Sequence, residues 1–168
     1  MGTIAAMLWL ALQGSAGLVL GTAWTLTYEG RTTNDIVWDQ RMRSLINTRV
    51  PAKLSAELLN ALFGPPDPVV VKGQRYVSMS ACVAHACGTK GFFWIDTTTG
   101  VGLGAVAQSW TYLESDSLRL GSNGMTARRL PPEAKAALLS WLSAQDIHPR
   151  TIEFVDVHGA TSEITLTP

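Results

Sequence analysis

Residues Arg75–Gln108, RYVSMSACVAHACGTKGFFWIDTTTGVGLGAVAQ, decide the fold. From Arg75 to Ala81 the residues alternate, Tyr76, Ser78 and Ser80 against Val77, Met79 and Ala81, the period-2 pattern of a strand with two unlike faces. After Gly88-Thr89-Lys90-Gly91, the run Phe92–Asp96 predicts a second strand. Thr97–Gly100 predicts a turn, and Val101–Gln108 a third strand, with Gly102 and Gly104 marking a bend or a close backbone approach. Both cysteines of the chain, Cys82 and Cys87, flank one histidine, His85, between the first two of these strands.

Working upstream, Val69–Val71 and a turn at Lys72-Gly73 predict a hairpin that leads into the cysteine segment. Before it lie two helical patterns. Thr33, Asn34 or Asp35 can cap the first, in which Trp38, Met42 and Leu45 recur on one face. The second starts near Pro51, turns Leu54, Leu58 and Leu62 inward, and stops at Gly64-Pro65-Pro66.

Downstream, Ser109–Ser115 and Ser117–Leu120 extend the strand pattern. Leu130–Gln145 predicts a helix opened by Pro131-Pro132-Glu133, with Glu133 at the positive end of its dipole. Thr151–Leu166 predicts a terminal hairpin turning at His158-Gly159. The expected class is α+β: a largely antiparallel sheet with helices packed on one side and a protruding loop.

The chain of 168 residues has room for one ordinary domain with a real core. Its formal net charge of zero gives no push toward nucleic acid or an anionic membrane. No charged side chain precedes Glu29. Residues 1–26 therefore read as a membrane anchor or a secretory signal. As an anchor, a helix of roughly 23 residues from Thr3 crosses the bilayer. As a signal, the apolar run Ile4–Leu12 precedes small-residue sites at Gly14-Ser15-Ala16 or Gly21-Thr22-Ala23, without the usual basic start. Residues 27–168 are expected to form the single domain, and a homodimer is compatible with the sequence. Export favours a disulfide over free thiols.

The segment Cys82–Cys87 has three readings at this stage. A disulfide closes a small ring and pre-orders Val83, Ala84, His85 and Ala86 between the cysteines. Alternatively, Cys82, His85 and Cys87, joined by His148 or His158, bind a metal, although zinc sites usually draw on two separate ligand pairs. Or the histidine is incidental. The close acidic residues Glu114 and Asp116 read as solvated, Asp96 as turn chemistry, and His148 and His158 as surface groups. No phosphate-cradling glycine loop and no Ser-His-Asp signature stand out. No cofactor and no enzymatic activity are expected.

The stretch Tyr76–Ala105 resembles the Ivy family, the periplasmic inhibitors of C-type lysozyme. That family carries a strand ending in Ser-Ala-Cys, a Cys-Lys-Pro-His-Asp-Cys loop, then Gly and further strands. Ser80, Ala81, Cys82, His85, Cys87 and Gly88 match it position by position, while Val83, Ala84 and Ala86 replace the family's Lys, Pro and Asp. The resemblance implies a loop closed by a Cys82–Cys87 disulfide that enters the lysozyme cleft, where His85 bonds the catalytic carboxylates. C-type lysozyme is the partner it implies. An endogenous lytic transglycosylase, or an envelope interaction domain without inhibitory activity, is the alternative. The expected location is the periplasm, free or tethered to the inner membrane.

Overall fold

The computed structural model describes residues 21–110 and 116–166. The expected anchor or signal segment through Leu20 lies outside these residues, as do Thr111–Ser115. The described chain opens with a 3-10 turn at Ala23–Tyr28, followed by α1 (Thr33–Val37), α2 (Gln40–Arg49) and α3 (Ala52–Ala61). Strands β1 (Val70–Lys72), β2 (Tyr76–Val83), β3 (Ala86–Asp96), β4 (Gly102–Gln108) and β5 (Asp116–Gly121) follow, then α4 (Pro132–Ala144), β6 (Pro149–Val155) and β7 (Thr161–Glu163).

The seven strands form one sheet in chain order, β1 to β7. Every neighbouring pair is antiparallel except β5 and β6, which run parallel because α4 carries the chain back between them. This is the α+β fold with a largely antiparallel sheet that the sequence predicts.

The helices divide between the two faces. In β3, Phe93 and Ile95 join a core with Met42, Ile46, Leu54 and Leu58 from α2 and α3. Phe92 and Trp94 point the other way, into a core with Leu138, Trp141 and Leu142 from α4. Expecting all helices on one side is therefore right for α1–α3 and not for α4. The reason is in the sequence: Phe92-Phe93-Trp94-Ile95 is apolar on both faces, and a one-sided helix layer would leave half of it in water.

Gly104 in β4 sets how closely the first layer approaches. A Cβ there would stand 2.6 Å from Leu58 Cδ2 and 2.8 Å from Val50 Cγ2. Only a residue without a side chain lets α3 lie this near the sheet.

Two boundaries differ from the sequence reading. Trp38 does not share a helical stripe with Met42 and Leu45, because the chain breaks between α1 and α2. Asp39 accepts a hydrogen bond from Arg41 N at 2.8 Å and starts α2 afresh, which leaves Trp38 62% exposed. The folded unit also begins before residue 27. Thr25 is fully buried, Trp24 and Leu26 pack on the α1–α3 core, and Thr22 Oγ1 donates to Thr97 O at 2.8 Å.

Candidate functional site

The β2–β3 hairpin carries the site. Val83 pairs with Ala86, so the turn itself consists of two residues, Ala84 and His85. Its base is irregular: Cys82 pairs with Lys90, leaving Cys87, Gly88 and Thr89 as extra residues on the β3 side. A disulfide joins Cys82 to Cys87 across this bulge, with Cα atoms 4.8 Å apart. Disulfides persist in oxidising compartments, which suits an exported protein.

Of the four residues between the cysteines, Val83 and Ala86 are half-buried strand ends, whereas Ala84 and His85 are exposed. His85 has φ of +61°. A positive φ at the second turn residue is the type II pattern, which favours glycine. An L-residue held there costs about 1 kcal/mol or more, with His tolerated better than most. No hydrogen bond holds the His85 ring among the described residues.

The hairpin is braced from three sides. Cys82 N donates to Pro65 O at 3.2 Å, and a Cβ on Gly64 would stand 2.1 Å from Cys82 O, so the Gly64–Pro66 segment lies flat against the β2 end. The Trp110 indole covers Gly88, where a Cβ would meet its Cδ2 at 2.2 Å. Lys90 Nζ donates to Cys87 O at 2.7 Å and puts a cation at the base. The exposed Trp38 packs at a tilt against Phe63, next to Gly64, with ring centroids 4.6 Å apart. The sequence spacing sets Trp38 on one face with the buried Met42 and Leu45. The signal that could have corrected it is Asp39, a helix cap immediately after the tryptophan.

The remaining candidates are not brought to the hairpin. The oxidised sulfurs offer no thiolate to a metal, and no cluster of three or more His, Cys, Asp or Glu suited to a metal occurs among the described residues. His148 is exposed beside Asp146 at 2.9 Å, and His158 is exposed in the β6–β7 turn, as expected. Asp116 Oδ2 accepts from His148 N at 2.7 Å, while Glu114 lies outside the described residues.

Asp96 does more than shape its turn. Arg75 grips it with Nε at 2.8 Å and Nη2 at 2.6 Å, and Thr98 N donates at 2.9 Å. The Arg75 guanidinium foremost, against desolvation, holds the Asp96 carboxyl well below the usual carboxylate range. Asp96 itself holds the Arg75 pKa above its ordinary value.

Comparison with protein-family models, with curated proteins and with solved structures finds no match. Among the described residues, no helix is long and apolar enough to cross a membrane.

Proposed function

We propose that the protein is an exported inhibitor of C-type lysozyme, working in the periplasm by inserting the Cys82–Cys87 hairpin tip into the enzyme's cleft. The observation that carries this reading is the exposed His85, held in a left-handed conformation on a disulfide-closed turn. A residue kept at a backbone angle that favours glycine points to a role for its side chain. The alanines on either side leave the imidazole as the one large polar group of the tip.

Glycoside cleavage of this type uses two carboxylates flanking the scissile bond. An imidazole between them donates to one or both, and in its protonated form makes charge-assisted bonds. The covalent ring means the tip is ordered before it docks, so little conformational freedom is lost on binding. Nothing is cleaved, and the inhibitor occupies the site.

A second reading has the same hairpin inhibiting an endogenous lytic transglycosylase. Lys90 at the hairpin base favours it, since that cation suits an acidic rim better than a basic one. The two readings separate in one experiment: His85→Gly relieves the backbone strain and removes the imidazole. Inhibition of C-type lysozyme by the parent but not by this variant supports the first reading. Activity against the transglycosylase alone supports the second. A His85→Gly variant that inhibits both enzymes as well as the parent does contradicts the role given to the histidine.

A further inference from the structure

The hairpin tip alone is too small to hold a protein partner. Between its cysteines only Ala84 and His85 are exposed, whereas a stable protein–protein interface draws on roughly 800 Å² from each side. When a tip enters a cleft, the rim of that cleft closes on the shoulders of the hairpin. What lies on those shoulders decides whether the contact can grow to that size.

On the α1–α3 side the shoulder is apolar. The chain from Phe63 to Pro66 runs along the end of β2: Cys82 N donates to Pro65 O, and Pro66 forms an isolated bridge with Ala81. A Cβ on Gly64 would stand 2.5 Å from Ala84 N, so this segment reaches the turn itself. Pro65 and Pro66 are exposed, Phe63 is half-buried, and no polar side chain interrupts the segment. Trp38, packed at a tilt against Phe63, extends this strip. At 62% it is the most exposed large hydrophobic side chain among the described residues. Its charged neighbour Asp39 is paired with Arg41 at 2.6 Å.

Singly exposed apolar residues are ordinary on protein surfaces, but a contiguous run beside a candidate binding element marks an interaction site. The strip is also held in place. Ile36 and Val37, just before Trp38, are fully buried, and Asp39, just after it, caps α2, so the backbone is fixed on both sides of the tryptophan. In the other segment Gly64 is wedged against β2 and two prolines fix φ. A surface ordered before binding loses little conformational freedom when it docks.

We propose that Trp38, Phe63, Pro65 and Pro66 form a second binding surface for the partner whose cleft receives the hairpin, with Trp38 as its anchor. The strip takes an apolar patch on the rim of that cleft. This inference rests on the reading of the hairpin as an inhibitor of C-type lysozyme: His85 blocks the catalytic carboxylates, and Trp38 supplies affinity. Tryptophan is among the side chains that most often dominate interface energetics.

The test is isothermal titration of a C-type lysozyme with the parent, Trp38→Ala, Trp38→Phe and Pro65→Glu, with sedimentation of the parent and Trp38→Ala alone. Trp38→Ala is expected to raise the Kd about tenfold or more. It should melt close to the parent, because an exposed side chain contributes little to folding. Trp38→Phe keeps a ring and should lose less. Pro65→Glu sets a carboxylate on the strip and should weaken binding to a similar extent, and it supplies the answer if Trp38→Ala does not fold.

Parent-like affinity in folded Trp38→Ala and Pro65→Glu overturns the inference and leaves the hairpin reading standing. A parent that does not bind lysozyme removes that reading, and the inference with it. A parent that sediments as a dimer, with Trp38→Ala a monomer, assigns the strip to a second copy of the chain and also overturns the inference.

Discussion

Replacing both hairpin cysteines by serine tests how far the ring governs the protein's stability. The disulfide joins residues five apart in sequence, so it removes a small loop's worth of freedom from the unfolded chain, about 2 kcal/mol. The native state gives up little by comparison. Cys87 is exposed, so a serine at that end of the bridge meets water, while Cys82 is buried beside Pro65. For a domain of this size each kcal/mol moves the midpoint by about 2–4 °C, so the double variant should melt about 4–8 °C lower. Thermal unfolding by circular dichroism reads this directly. The parent in reductant should melt with the variant, and the untreated parent should show no titratable thiol after unfolding. Coincident melting of the reduced and oxidised parent, with two new thiols titrated after reduction, would refute the reasoning.

Further outcomes follow from the packing and charge described above. Gly104→Val drives a side chain into Leu58 and Val50 and should destabilise the domain by about 1–3 kcal/mol, measured by urea unfolding. A fragment starting at residue 27 lacks Thr22, Trp24 and Thr25 and should unfold at lower urea than one starting at residue 21. The Asp96 pKa lies lower in the folded protein than its ordinary 3.8, so its contribution to stability is full above that value and is lost as pH falls through the folded pKa. Asp96→Asn should therefore flatten the loss of stability on acidification below about pH 4, and parallel acid curves for parent and variant would contradict this.

Much of the fold was legible because most of its elements carry one period at a time. The alternation of Tyr76–Ala81 gave β2 both of its faces, and the Leu54, Leu58 and Leu62 spacing gave the buried side of α3. The second helix layer was harder to see, because a run such as Phe92–Ile95 has no polar partner to mark its outer face. Trp38 misled for a different reason. Its spacing to Met42 and Leu45 fits a helix, and only the Asp39 cap reveals that the helix starts after it. The cysteine hairpin was visible as a segment, but not its two-residue turn or the left-handed His85, since backbone angle leaves no periodicity in sequence. A cavity of about 370 Å³ under α4 was not legible at all. It depends on Ser78 and Ser80 facing Ala137 and Ser140 across a tertiary contact that no local pattern encodes.

The rate of cell-wall lysis by a C-type lysozyme, with the protein added and then with its His85→Ala variant, tests the central claim most directly. The account predicts that the parent slows lysis in proportion to its concentration and that the variant, equally stable and equally oxidised, loses most of that effect. Unimpeded lysis in the presence of the folded, disulfide-bonded parent would contradict it.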